Sequence, residues 1–229
     1  MARHFEVHGE ITGLASPSVG AVTGNTRIVG TAFHNNGTAV PDNPRKRLVV
    51  ENVEIRRCQH WACYAHGIVF QKIWVEDLRG GGRAPSYLRG CYLSEVTLKG
   101  WISGLVWKWA IDPGDARKSK DFMKDNSDRY ANATWALDIT EAEFSTFECF
   151  LGVPASKIRR NPEYHWVMTN SAAASFLEAH KEPSIWSLTA QEILGLGLSD
   201  TVVVVGGTGK KLHATRAEAQ ALAEKGYLT

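Results

Sequence analysis

Four short segments decide the fold: Val53-Glu54-Ile55, Val75-Glu76-Asp77-Leu78, Val96-Thr97-Leu98 and Leu137-Asp138-Ile139. Each alternates apolar and polar residues, the second less strictly, as a half-buried strand does. The first three begin 22 and 21 residues apart, and the last follows after 41 residues, about two periods. A recurrence near 20 residues is typical of stacked coils, in which each short strand hydrogen-bonds to the next.

We therefore predict a mainly β protein with a short, irregular right-handed parallel β-helix over residues 48–160. Further apolar stretches between the triplets would give each coil a second strand, with glycines at the corners. Residues 1–47 form a strand-rich segment that caps the open end of the stack. Residues 161–229 form a small α/β C-terminal module of a hairpin and helices.

The repeat is interrupted at residues 110–134. The turn signal Asp112-Pro113-Gly114-Asp115 precedes the charge-dense stretch from Arg117 to Arg129. We predict a loop or a short surface helix inserted in the stack, and loops of this length are often functional. A second basic run, Arg45-Lys46-Arg47, is predicted to be a solvated loop end.

After the insertion, the segment from Ala136 to Phe147 has small or apolar residues at five-residue spacing, at Leu137, Ala142 and Phe147. Here the chain resembles pentapeptide-repeat proteins and their right-handed parallel β-helix relatives. The resemblance covers 40 to 100 residues and is loose, because true pentapeptide runs are regular over many units. It implies a bacterial protein that acts by binding or mimicry, and it brings no catalytic residues.

Composition excludes several classes of protein. The 26 basic and 24 acidic side chains give a net charge of +2, which argues against nucleic acid as a partner. No apolar run approaches the roughly 20 residues that span a bilayer, and the N-terminus lacks the apolar core of a signal peptide. We therefore expect a cytoplasmic protein without a membrane partner, whose four cysteines are reduced thiols.

Four potential soft-metal ligands lie within nine residues, at Cys58, His60, Cys63 and His66. Zinc sites need tetrahedral sulfur and nitrogen ligands. The spacing here is not the usual Cys-x2-Cys with a distant second pair of ligands. We predict no metal and no cofactor here. The cysteines are interpreted as small buried hydrophobic residues and the histidines as corner residues.

A glycine-rich segment, Gly206-Gly207-Thr208-Gly209, follows the β-branched run Thr201 to Val205. It fails the Walker pattern, because Val204 and Lys211 stand where glycine and Ser or Thr are required. We predict a tight hairpin turn, with residues 210–213 as the returning strand.

The outward positions of the triplets include three carboxylates, Glu54, Glu76 and Asp138. In a coil stack they would form a column at about 4.8 Å per coil. Such columns bind calcium or serve as acid and base on a sugar bond in β-helix polysaccharide enzymes. A carbohydrate-active enzyme that uses this column is therefore the alternative reading.

The favoured function is a non-catalytic binding or protein-interaction protein, in the manner of an inhibitor or immunity protein. Its partner would be another protein, bound by aromatic and basic side chains, because aromatic anchors dominate interface energies. The predicted binding residues are Trp101, Trp107, Trp109, Arg117 and Arg129. A structural subunit that forms homo-oligomers through the C-terminal module is a third possibility.

Overall fold

The computed structural model describes residues 5–7, 10–12, 22–81, 84–112 and 114–229, with side chains from residue 26 onward except at 211. The strands are β1 (Phe5–Val7), β2 (Glu10–Thr12), β3 (Val22–Val29), β4 (Ala32–His34), β5 (Val49–Trp61), β6 (Tyr64–His66), β7 (Val69–Gly80), β8 (Ser86–Arg89), β9 (Tyr92–Ile102), β10 (Leu105–Lys108), β11 (Leu137–Asp138), β12 (Ala142–Phe144), β13 (Glu148–Cys149), β14 (Ile158–Arg159), β15 (His165–Thr169) and β16 (Asp200–Val204). The helices are α1 (Ala116–Asn132), α2 (Asn170–Ala179), α3 (Ile185–Gly195) and α4 (Gly209–Glu224), with 3-10 turns at Pro44–Lys46 and Ala155–Lys157.

These strands form three sheets. The ten-stranded sheet has the order β1-β3-β5-β7-β9-β11-β14, with β4 and β12 pairing to β5 and β9, and β2 pairing to β4. Its strands are parallel, and so are those of the three-stranded sheet β10-β8-β6. The third sheet, β13-β16-β15, is antiparallel.

The predicted fold class is wrong. The described chain is a mixed α/β protein around a mainly parallel sheet, not a mainly β protein built as a right-handed parallel β-helix. The 17-residue helix α1 interrupts the strands, and α2, α3 and α4 make up much of the chain after β15. The near-equal triplet spacing misled the prediction, because any parallel sheet with crossovers of similar length gives such a recurrence.

The triplets do pair in parallel, as predicted, but in a different register. Val53 lies opposite Ile73, and Ile73 lies opposite Val96. Val75 lies opposite Ile55 and Leu98, whereas aligning the triplets by their first residues predicts Val53 and Val96 at these places, two residues earlier. Because side chains alternate with a period of two, a two-residue shift keeps Val75 on the buried face.

The long strands β5, β7 and β9 bend at two aligned sets of residues with left-handed backbone. The first set is Asn52, Lys72 and Glu95, each with φ between 53° and 56°. The second set is Arg57, Asp77 and Gly100, with φ of 50°, 53° and 65°. The register pairs the residues flanking the first set across all three strands. Five of these six bends therefore use residues other than glycine, whereas Gly67, Gly90 and Gly104, between successive strands, have the left-handed backbone predicted for corner glycines, with φ of 62°, 59° and 72°.

The antiparallel sheet joins two hydrophobic cores. Val202 and Val204 belong to the core of the parallel sheets, whereas Val203 and Val205 pack with α2, α3 and α4. Both faces of β16 are thus covered, which explains its uninterrupted β-branched sequence. The predicted hairpin after this strand is wrong: residues 209–224 form α4, preceded by the Gly206–Thr208 loop.

Helix α1 packs on the parallel sheets through buried polar groups. The Arg47 guanidinium is buried, donates to the Gly90 and Phe122 carbonyl oxygens, and lies 3.3 Å from an Asp125 carboxylate oxygen. Burial lowers the pKa of Arg47 to about 10, against the opposing effect of Asp125. The predicted solvated loop end is thus wrong at Arg47. Among the described residues, no helix is long and apolar enough to cross a bilayer.

Candidate functional site

A cavity of about 480 Å³ lies between the ten-stranded sheet and the β10-β8-β6 sheet. We call it the apolar cavity, because most of its lining is aliphatic or aromatic. Binding sites for small molecules usually measure about 300–1,000 Å³ and have such a lining with a few polar groups. Its apolar lining includes Ile28, Phe33, Val50, Val53, Ile55, Ala65, Phe70, Leu78, Leu88 and Leu105.

The position of the cavity follows from how the sheet is filled. Val96 and Leu137, further along the Val53 row, are buried in the main core. Toward β3, the same row continues through Thr26, which is smaller and only half-buried. Ile28 and Ile55 in the next row are also half-buried and line the cavity. The space between the sheets is therefore less completely filled near β3.

The main polar feature of this lining is a hydrogen-bonded pair, His60 and Ser86. The Ser86 Oγ lies 2.7 Å from His60 Nδ1, and His60 Nε2 lies 2.8 Å from the Ser103 carbonyl oxygen. A carbonyl oxygen only accepts, so Nε2 carries the proton and Nδ1 accepts from the Ser86 hydroxyl. The Cys63 backbone N–H in turn donates to Ser86 Oγ at 3.1 Å.

This pair is almost completely buried and uncharged. His60 is 4% exposed and Ser86 5%. Burial lowers the pKa of His60, although the bond to the Ser103 carbonyl opposes the shift. Every polar atom of the imidazole ring is occupied, whereas the serine oxygen retains one free lone pair. The pair can thus offer a fixed acceptor to a molecule in the apolar cavity.

The four potential metal ligands do not converge. The Cys58 thiol donates to the Arg56 carbonyl oxygen, and the Cys63 thiol to that of Trp61. His66 Nδ1 lies 2.9 Å from the Thr38 carbonyl oxygen, and His60 is bonded to Ser86. Within the part of the chain that the structure describes, no three His, Cys, Asp or Glu side chains form a metal-binding group.

The carboxylates of the predicted acidic column are paired with arginine side chains. Glu54 and Asp138 occupy one row of the sheet but are separated by Trp74 and Thr97. Glu54 pairs with Arg27 and Arg56, Arg56 also pairs with Glu76 at 3.2 Å, and Asp138 lies 3.8 Å from Arg159. Each carboxylate therefore has a cationic neighbour, and Glu54 and Glu76 share the Arg56 guanidinium.

The predicted aromatic binding surface lies partly in the core. Trp107 packs against Phe150, and Trp109 fits so tightly against Gly152 that a Cβ there would lie 2.0 Å from its ring. Both tryptophans are buried, so a partner protein cannot reach their rings. Trp101 is half-buried and lines a separate cleft beside β16.

The two predicted basic residues lie on α1, at the surface. Arg117 is exposed in the first turn of the helix. Arg129 pairs with Asp125 at 2.8 Å and lies over the Tyr92 ring. The predicted loop or short helix is thus a 17-residue surface helix, but its basic residues do not continue an exposed aromatic face.

Sequence reasoning missed Ser86 and did not assign His60 to a polar pair. Nothing in the local sequence marks Ser86, which stands between Pro85 and Tyr87 in an apolar strand. Ser86 contacts His60 because the fold brings the start of β8 close to the end of β5. The spacing of residues along the chain does not show this.

Comparison of the chain with protein-family models, with curated proteins and with solved structures gives no match. The geometry of the molecule itself therefore carries the functional argument.

Proposed function

We propose that this protein is a non-catalytic binding protein that holds a small, mainly apolar molecule in the apolar cavity. The observation that carries the proposal is the combination of a cavity of about 480 Å³, an apolar lining and the His60–Ser86 pair. Removing apolar surface from water contributes about 25 cal/mol per Å², so such a lining favours an apolar ligand. The free lone pair of Ser86 favours a ligand that carries one hydroxyl or amide donor.

Catalysis by Ser86 is the second candidate, because a serine 2.7 Å from a histidine nitrogen resembles a nucleophile with its base. Two features favour binding instead. The Cys63 N–H already donates to Ser86 Oγ, which draws electron density from the attacking atom. Burial also lowers the pKa of His60, which makes it a weaker base.

The proposal is tested with 1-naphthol and naphthalene, which differ by one hydroxyl, using their fluorescence and the methyl resonances of the cavity. We expect both to bind with a Kd below about 1 mM. Ala65→Phe fills part of the cavity and should weaken the binding of both ligands by about tenfold or more. A loss of about 1.4 kcal/mol of binding free energy is enough for a tenfold change in Kd. The control Ala131→Phe, on the exposed face of α1, should change neither.

Ser86→Ala separates the two candidates. It should weaken 1-naphthol but not naphthalene, because only the naphthol has a hydroxyl to donate. A fluorophosphonate ester should leave Ser86 unlabelled in intact-mass spectra. Stoichiometric labelling of Ser86 would contradict a non-catalytic role, and equal affinities in wild type and Ala65→Phe would contradict binding in the cavity.

A further inference from the structure

A second cleft, of about 340 Å³, lies between β12, the start of β15 and the first turns of α4. We call it the Arg216 cleft. It is separate from the apolar cavity, and its lining combines the aromatic residues Trp101, Phe144 and Tyr164 with cationic and polar groups. The loop Gly206–Gly207, between β16 and α4, closes one side.

The cationic group of this cleft is Arg216, in α4. Its guanidinium carbon lies 4.3 Å above the centre of the Tyr164 ring, a cation–π contact that holds the group at this side of the cleft. Its Nε is buried without a hydrogen-bond partner, and the described residues provide no ion-pair partner for the guanidinium. Buried donors are normally bonded, so an orphaned guanidinium nitrogen in a cleft points to a missing acceptor.

A second, independent donor comes from His165. This residue is 3% exposed and lines the cleft. The Asn161 backbone N–H donates to its Nδ1 at 3.2 Å, so the proton of the neutral ring resides on Nε2. Among the described residues, Nε2 has no hydrogen-bond partner.

The surroundings of His165 are positive. Burial, Arg160 and Arg216 together lower its pKa to about 4. The Arg160 guanidinium also donates to the His165 carbonyl oxygen at 2.5 Å. Helix α4 begins beside the cleft, and the Thr208 side chain does not cap its backbone N–H groups, which adds partial positive charge. Glu143 at the rim is the carboxylate of the described lining, and it is exposed.

We propose that the Arg216 cleft binds the carboxylate or phosphate group of a small organic anion. Its two donors are the Arg216 guanidinium and the His165 Nε2–H. An oxyanion would complete both, since Arg presents a planar fork that matches carboxylate and phosphate oxygens. The rings of Trp101 and Phe144 favour an anion with an attached apolar or planar group.

The test uses the full chain and four probes: acetate, benzoate, inorganic phosphate and phenyl phosphate. Calorimetry gives the affinities, and the ¹⁵N shift of His165 Nε2 reports the contact. We expect at least one probe to bind with a Kd below about 1 mM. Benzoate should bind more tightly than acetate, and phenyl phosphate more tightly than inorganic phosphate. Comparing benzoate with phenyl phosphate shows which oxyanion the cleft takes.

Three variants and one control variant locate the binding site. Arg216→Gln should weaken the best probe by about tenfold or more, since it removes a charge-assisted bond, whereas Arg216→Lys should retain part of the affinity. Arg117→Gln, an equal loss of charge on exposed α1, should change nothing. His165→Asn removes the second donor and leaves Arg216 in place, and it should also weaken binding. It therefore tests the cleft independently of the Arg216 variants. Binding weaker than the stated limit for all four probes, or equal affinity in wild type and Arg216→Gln, would overturn the proposal.

Discussion

His60, in the parallel part of the molecule, and His165, in the antiparallel part, are both buried, at 4% and 3% exposure. Burial lowers the pKa of each. Both ring nitrogens of His60 are bonded by the protein, to Ser86 and the Ser103 carbonyl. His165 uses only Nδ1, and its Nε2–H lacks a partner among the described residues. The two histidines are thus equally buried but differ in their hydrogen bonding. His60 is a fixed part of the lining of the apolar cavity, whereas His165 has a donor left for a ligand.

The comparison is tested most strongly by replacing each histidine with leucine. His60→Leu should lower the free energy of unfolding by about 3 kcal/mol, because the Ser86 O–H loses its acceptor and the Ser103 carbonyl loses its donor, at about 1–3 kcal/mol each. His165→Leu leaves only the Asn161 N–H unbonded and should cost about 1 kcal/mol. Urea unfolding of both variants measures this. Equal losses would show that the two rings do not differ in how they are bonded.

The pH dependence of stability gives the next largest effect. His165 has a pKa of about 4 when folded and an ordinary value of 6.5 when unfolded. Below pH 6.5 the unfolded state therefore binds the extra proton, and stability falls as the pH drops toward 4. Between pH 7 and pH 5, wild type should lose about 2 kcal/mol more stability than His165→Asn, which cannot titrate.

The variant comparison is necessary because other buried groups titrate nearby. His60 acts in the same direction as His165. Glu148 acts oppositely, since burial raises its pKa to about 7 and stability then falls as the pH rises above its ordinary value. Both groups are present in both proteins and cancel in the difference. Identical pH profiles for wild type and His165→Asn would argue against a neutral, buried His165.

The smallest expected effect concerns the ion pair that links the two regions. The Lys108 ammonium on β10 lies 2.7 Å from the Glu192 carboxylate on α3, and both side chains are partly exposed. A double-mutant cycle with Lys108→Met and Glu192→Gln should give a coupling energy below about 1 kcal/mol, reduced by salt. The exposed Lys124–Asp128 pair within α1 is the matched control. A coupling above about 2 kcal/mol would mean that this contact, rather than the shared hydrophobic cores, fastens the two regions.

Sequence alone predicted the parallel pairing of the triplets, because alternation and spacing follow from the backbone of a strand. It did not predict the register. Pairing Val75 with Ile55 or with Val53 leaves the Val75 side chain on the same face of the sheet, so the alternation of apolar and polar residues does not distinguish the two registers. Residues 210–213 were predicted as a returning strand but belong to the start of α4, for a related reason. A glycine-rich turn is compatible with a strand or a helix after it, and only packing against the Trp166 and Trp186 core decides between them.

The candidate sites were predicted less well. His60 was predicted to be a corner residue that binds no metal, and its contact with Ser86 was missed because the two residues lie 26 positions apart. Of the Arg216 cleft, only Trp101 was predicted as a binding residue, because His165 and Arg216 lie on elements separated by two helices. Trp107 and Trp109 were assigned to a surface because tryptophan serves cores and interfaces alike. Burial, which depends on the whole fold, distinguishes these roles.

The aligned left-handed bends have a mechanical consequence. Each non-glycine residue in this conformation carries about 1–2 kcal/mol of strain, which is tolerated where its neighbours in adjacent strands bend at the same place. If β7 slid along β5, Lys72 would leave Asn52 and lie beside a straight segment, and the ladder would break there. The sheet should therefore resist shear along its strands more strongly than a flat sheet of the same size. Force applied along β7 would meet a stiff body that yields abruptly, whereas force across the strands would separate them one at a time.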